Sequence, residues 1–223
     1  MATEKILMLD TETTRMMPNQ IQYDFGYAVT DRSGTIYEEG SFVNSDVFYG
    51  MADEMQSAYY ADKIPKYRDE IWEGKRIVVD TWQLKKIVEN ARERWDIKYI
   101  CAYNMMFDLR ACNNTIKAIT DEKYKYFFPY GIELWDAWKM AQDTICKQKG
   151  YIKFCKDNGY MTKHKTPRVQ TKAEVVYKYI TKNNDFVEDH TGLEDVRIEV
   201  AIMAKCFKLH KKMRKKLFND KKA

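Results

Sequence analysis

The sequence predicts an α/β domain: a mixed sheet of five strands, an antiparallel meander extended by parallel strands, flanked by helices. Three observations carry this. KILMLDTETT (5–14) is an apolar run that turns polar at its end, as a buried strand does on reaching a sheet edge. QIQYDFGYAVT (20–30) sets Ile21, Tyr23, Phe25, Tyr27 and Val29 against Gln22, Asp24, Gly26, Ala28 and Thr30, a period of two. Further along, short apolar segments alternate with longer helical ones, which implies a sheet covered by helices.

The elements follow in order. DRSG (31–34) reads as a turn and TIYEEGSFV (35–43) as the returning strand of the meander. From Ala52 to Trp95 the pattern is mostly helical, interrupted near Pro65 and Gly74, with Thr81 a cap for WQLKKIVENARERW. KYICAY (98–103) is a short strand running into a helix that starts near Met105. A strand near Ile132 to Trp135 and a helix through Met140 come next. The least regular stretch is ICKQKGYIKFCKDNGYMTKHKTPR, so residues 144–170 are expected to form an insertion or functional loop. The whole chain, 1–223, is expected to be one domain with a basic tail over 210–223.

Hydrophobic residues make up 45% of the 223 and charged residues 32%, the balance of a soluble globular chain. No apolar run approaches the 18 or so residues of a membrane span. MATEKILML is too short, and carries charge inside it, for a secretory leader; a cytoplasmic location is expected. Five cysteines, an odd number without CxxC spacing, suggest neither a disulfide framework nor a structural zinc site, but buried reduced thiols. A net charge of +5 permits a nucleic-acid partner without demonstrating one.

The acids are more specific. Asp10 and Glu12 lie two apart on a strand and so share a face. At about 5 Å and an effective dielectric near 20, two such charges repel by roughly 3 kcal/mol, so a cation is expected beside them. In AYNMMFDLRACNN, Asn104 is a good N-cap, which makes Asp108 the fourth residue of the next helix, where the positive helix end tolerates a carboxylate. In HTGLED, Thr191 and Glu194 have capping-box spacing, so Thr191 caps the final helix and Gly192 opens it. His190 and Asp195 then occupy the two positions that pack together in a hydrophobic staple, with an imidazole and a carboxylate in place of apolar groups. Asp195 heads a stripe with Ile198, Ile202 and Cys206 and faces the core side. Taken singly, Asp108 reads as an ordinary first-turn acid and His190 as a structural histidine.

Together, D-x-E (Asp10, Glu12), N-x-x-F-D (Asn104, Phe107, Asp108) and H-x-x-x-x-D (His190, Asp195) resemble the three motifs of the DnaQ-like, or DEDDh, 3′-to-5′ exonucleases, in order and across nearly the whole chain. TKAEVVYKYITKNNDFVEDHTGLEDVRIE also resembles exonucleases and polymerase exonuclease subunits of bacteriophage-like replication modules, which implies a bacterial or phage-infected host cytoplasm. The resemblance implies a ribonuclease H-like fold and two Mg²⁺ or Mn²⁺ ions, in keeping with a carboxylate donor set. It implies that Asp10, Glu12 and Asp195 hold one ion and Asp10 and Asp108 the other, with His190 the general base in phosphodiester hydrolysis.

The expected partner is the 3′ end of single-stranded or frayed DNA, with short RNA as an alternative and a DNA polymerase as a further partner. Thr11 and Thr13 are expected to meet the terminal nucleotide and Met16 or Met17 its base, with Asn104 and Phe107 beside it. Core packing is the competing reading for an apolar residue after the first strand. Lys147, Lys149, Lys153, Lys156, Lys163 and Lys165, interleaved with Tyr151, Phe154 and Tyr160, have the composition of a surface that tracks phosphates and stacks bases, or of a solvated loop. Cations from Lys211 to Lys222 suit either nucleic acid or a helix C-terminus; His164 and His210 read as bystanders. A non-catalytic binding module predicts a lost carboxylate, and all four are present. A Rossmann enzyme needs a Gly-rich turn where DTETT stands.

Overall fold

In the computed structural model, which describes residues 3–120 and 126–218, six strands form one mixed sheet in the order β4-β3-β2-β1-β5-β6. β1 (Ile6–Thr14), β2 (Ile21–Thr30) and β3 (Ile36–Asn44) are the antiparallel meander. β5 (Tyr99–Ala102) runs parallel to β1, and β6 (Glu133–Asp136) parallel to β5. The strand absent from the sequence reading is β4 (Ile77–Val79), which pairs in parallel with β3. Three residues inside a helix-rich stretch carry no period of their own, so the sheet has six strands where five were expected.

Between β3 and β4 lie α1 (Ser45–Phe48), α2 (Ala52–Gln56), a 3₁₀ turn (Ala61–Lys63) and α3 (Ile64–Trp72), with Pro65 in the first turn of α3 where its missing N–H costs nothing. The next helix, α4 (Thr81–Trp95), is capped one residue earlier than expected. Asp80 Oδ1 accepts from Gln83 N at 2.7 Å, and Gln83 Oε1 accepts in return from Asp80 N at 3.0 Å, a complete capping box. Thr81 is buried and its N–H donates to Asp46 instead. α5 (Met105–Ile119) follows β5, and α6 (Ala137–Thr144) follows β6. The stretch read as least regular contains α7 (Lys149–Asp157), whose Tyr151 and Cys155 are buried in the core, then a bridge between Met161 and Val169. α8 (Ala173–Thr181) and α9 (Gly192–Lys208) complete the helices.

Both faces of the sheet are covered. Ile6 and Met8 of β1 pack with α6, α7, α8 and α9, while Leu7 and Leu9 pack with α4 and α5. Successive residues of β1 therefore answer to different helices, which decides where Asp10, Thr11 and Glu12 look. All five cysteines are buried free thiols. At the sheet edge, Lys215 to Leu217 pair along β6: Lys215 O accepts from Asp136 N, and Leu217 N donates to Leu134 O, both at 2.8 Å. Part of the basic tail is thus an edge strand in all but length; residues 219–223 lie outside the described residues. Among the described residues, no helix is long and apolar enough to cross a membrane.

Candidate active site

By strand parity Asp10 and Glu12 share the face of Ile6 and Met8, the side on which α9 lies, while Thr11 takes the α5 side with Leu7 and Leu9. The register of β1 against β2 shifts just after Glu12, a bulge of the kind that re-aims chains beside sites. α9 approaches very closely here. A Cβ on Gly26 of β2 would sit 2.2 Å from Gly192 C and Leu193 N, and one on Gly192 only 2.6 Å from Gly26 N and 3.2 Å from Asp10 O. Two glycines therefore let the start of α9 lie directly on the backbone of β1 and β2. Asp24, also on β2, accepts from Gly192 N at 2.9 Å and from the Tyr67 hydroxyl at 2.6 Å. Arg76, itself buried, neutralises Asp24 at 3.0 Å and also reaches Glu70 and Glu194.

This docking delivers Asp195, in the first turn of α9, to the end of β1. Ligand atoms of Glu12, His190 and Asp195 all lie within 4.8 Å of one another. Among the described residues, His164 and His210 belong to no such grouping. Asp195 is 7% exposed, and its Oδ1 is buried without a hydrogen-bond partner. Thr191 does occupy the N-cap of α9, but its hydroxyl donates to the Glu194 carboxylate and not to form a backbone cap. The opening turn of α9 is held instead by Asp24 from the sheet.

Asp108 enters from the opposite face. It is 1% exposed, and its Oδ1 accepts from Thr11 N at 3.1 Å and from the Thr11 hydroxyl at 2.9 Å. Thr11 thus ties β1 to α5 with both its donors. Asn104 occupies the N-cap position of α5, as expected, in a left-handed conformation, φ 73°, but its side chain is exposed and makes no capping hydrogen bond. Phe107 and Thr13 are half-buried, and Met16, 85% exposed, stands on the loop after β1 with Met17.

Burial and mutual repulsion raise the proton affinity of every carboxylate here. Asp10 is pushed well up, first by burial, then by Glu199, Asp108, Asp195 and Glu12. Glu12 is pushed up to about 9 by burial and then by Asp195 and Asp24, with Lys63 opposing. Asp108 rises to about 7 through burial, held back by its bonds from Thr11; Asp195 rises to about 8 through burial and then Glu188. Four acids that repel one another through Asp10 form one electrostatic unit. His190 moves the other way: burial first, then Lys63, lower its pKa, so the imidazole is neutral at pH 7.

Several residues at the site carried no motif. Glu199, 3% exposed and one turn beyond Asp195, is a fifth acid; its Oε2 accepts from Tyr103 N at 3.0 Å, beside the N-x-x-F-D turn. Its spacing of four from Asp195 on a buried stripe was the available signal. Glu188 lies 3.5 Å from His190 Nδ1. It also lines a cavity of about 610 Å³ with Tyr103, Asn104, Trp138, Lys163 and Lys172. Of the insertion's side chains, Lys163 reaches this cavity, Lys147 and Lys153 pair with Asp143 and Asp157, and Tyr151 is fully buried, which removes it from any stacking surface.

No family model matches the chain, and no curated protein matches it by sequence. Solved structures do match. The zinc-ion-bound E. coli exonuclease I–ssDNA complex superposes with a TM-score of 0.53 at 13% identity, covering 94% of this chain and 41% of that one. E. coli exonuclease I with a 5cy-dT13 oligonucleotide gives 0.51 at 14% identity, with the same coverage of 94% and 41%. S. pombe Pop2p in its Mg²⁺- and Mn²⁺-bound form gives 0.50 at 10% identity over 90% of this chain and 81% of that one. The chain shares the fold of these exonuclease I and Pop2p structures. The chain spans 41% of the length of the exonuclease I chains it matches.

Proposed function

We propose that the protein is a metal-dependent 3′-to-5′ exonuclease that releases nucleoside monophosphates from single-stranded or frayed DNA, in the setting of proofreading beside a polymerase. The observation that carries this reading is the meeting of Glu12, His190 and Asp195 within 4.8 Å, with a buried Asp195 oxygen that has no partner. An acid cluster whose members all resist ionisation fits a site built for cations, and its oxygen donors suit Mg²⁺ or Mn²⁺. Asp10, Glu12 and Asp195 would hold one ion, and Asp10 and Asp108 a second. Such ions, when bound, polarise the phosphodiester and lower the pKa of water.

The chain's own residues supply the rest. His190 Nδ1 faces Glu188, which leaves Nε2 free to take a proton from the attacking water. The water oxygen then bonds to phosphorus as the P–O3′ bond breaks, and the departing 3′ oxygen takes a proton from solvent. Neutral imidazole near pH 7 is the form this step requires. Thr11 holds Asp108 while Thr13, Asn104 and Phe107 flank the site, and Met16 offers an apolar contact for a terminal base. Lys163 and Lys172 at the neighbouring cavity fit an incoming phosphate backbone.

The test uses 3′- and 5′-labelled single strands of matched DNA and RNA with Mg²⁺, Mn²⁺ or EDTA. Mononucleotides should leave the 3′ end, and EDTA or Asp10→Ala should abolish their release. Faster loss of RNA would select the exoribonuclease alternative. Absence of hydrolysis with every strand and metal would refute the enzyme.

A further inference from the structure

We infer that Tyr60 and Lys63, in the helical segment between β3 and β4, are positioning residues for His190. This rests on His190 acting as the base. The segment is anchored by its own core, in which Val47, Phe48, Met55 and Tyr67 pack with Ile21 and Tyr23 of β2. From that anchor it reaches over the acid cluster. The Tyr60 ring stacks on the His190 imidazole with centroids 4.8 Å apart and planes 17° from parallel. Lys63 donates to the backbone carbonyl of Asp189, and at 3.3 Å to that of His190, while its ammonium sits 4.6 Å from the Tyr60 ring centroid. Lys66 adds an ion pair to Asp189 at 2.5 Å.

His190 needs this support. It has φ 51°, a left-handed conformation that a side chain with a Cβ adopts only when its surroundings impose it. It also lies outside regular structure, just before α9, with its side chain 36% exposed. Unsupported, such an imidazole would sample several rotamers. The parallel ring and the two carbonyl contacts instead fix one plane, with Nδ1 toward Glu188 and the ring beside Glu12 and Asp195. None of Tyr60, Lys63 or Lys66 belongs to the three motifs, so the hold is a feature of this chain's helical segment.

The experiment has two arms. In proton NMR of the full chain, the ring signals of His190, assigned with His190→Gln, should lie upfield of those of the exposed His164 and His210. Tyr60→Ala should move them downfield, and Tyr60→Phe should not. In single-strand hydrolysis, Tyr60→Ala should lower kcat about 10- to 100-fold with KM within about twofold, below the full contribution of a general base. Lys63→Met should also lower kcat, and Tyr60→Phe should restore the wild-type rate. In a His190→Ala background, Tyr60→Ala should change kcat less than about twofold, because the group it positions is gone. An equal loss in both backgrounds, or a loss confined to KM, would overturn the inference and make Tyr60 a substrate contact. Ring signals of His190 that ignore Tyr60→Ala would overturn it whatever the enzyme does. Signals that move in a protein without hydrolysis would sink the exonuclease reading and leave the ring contact standing.

Discussion

Gly26→Ala sets two physical effects against each other. Glycine inside a strand costs about 0.5–1 kcal/mol of backbone entropy relative to alanine, so propensity alone predicts stabilisation. The contact with α9 predicts the reverse. The added Cβ would stand 2.2 Å from Gly192 C and Leu193 N, where ordinary contact begins at 3.4 Å, so the backbones must separate by about 1.2 Å. No flexible side chain is available to move, because both atoms are backbone. Overpacking of this kind costs typically about 1–3 kcal/mol, which outweighs the propensity gain over most of that range and leaves a net loss of up to about 2.5 kcal/mol. The displaced element carries Asp195 and adjoins His190, and a shift near 1 Å at a reacting centre costs on the order of 10²-fold in rate. Urea unfolding and single-strand hydrolysis on the same preparation check both numbers. An unchanged or raised unfolding midpoint, with a wild-type rate, would refute the claim that two glycines seat α9 on the sheet.

Arg76→Met should destabilise the fold by about 3–5 kcal/mol in urea unfolding, since it strands the buried Asp24 beside Glu70 and Glu194 without their cation. Without added metal, stability should fall between pH 6.5 and 8. Asp108, Asp195 and Glu12 titrate at about 7, 8 and 9 in the fold, far above their unfolded values, so the native state binds more protons and its advantage is lost as pH rises through that window. His190, with its lowered pKa, slopes the other way only as pH drops below the unfolded value near 6.5. Urea midpoints in EDTA at the two pH values decide the sign, and a midpoint that rises with pH would contradict it. Mg²⁺ should raise the midpoint more at pH 8 than at pH 6.5, because binding needs ionised carboxylates. Glu199→Gln retains an acceptor for Tyr103 N–H and removes a charge that opposes Asp10, so the metal-free protein should gain stability at pH 8.

What the sequence made legible, and what it hid, divide by range. Asp10 and Glu12 declared a common face because side-chain alternation is local, and the step of four residues from Thr191 placed Asp195 in the first turn of α9 for the same reason. β4 escaped because three residues become a strand only through β3, where Ile77 pairs with Phe42, 35 positions earlier in the chain. α7 escaped because its lysines masked the two positions, Tyr151 and Cys155, that bury.

The alternation in β2 marked a strand without saying what its polar column meets. Gln22, Asp24 and Thr30 alternate with aromatic and aliphatic residues as a solvent face would, yet all ten residues of β2 are buried. The alternation is real; its meaning changes because α9 lies across that face. A helix can come within backbone contact of a strand only where side chains are missing, which requires Gly26 opposite Gly192. A buried acid beside that contact is tolerable only with a cation, which requires Arg76 from beyond α3. With the cation in place, Asp24 becomes an acceptor for the first N–H of α9, doing for that helix what a side-chain cap does elsewhere. The residues that looked least like a functional motif therefore determine where His190 and Asp195 stand relative to Asp10 and Glu12.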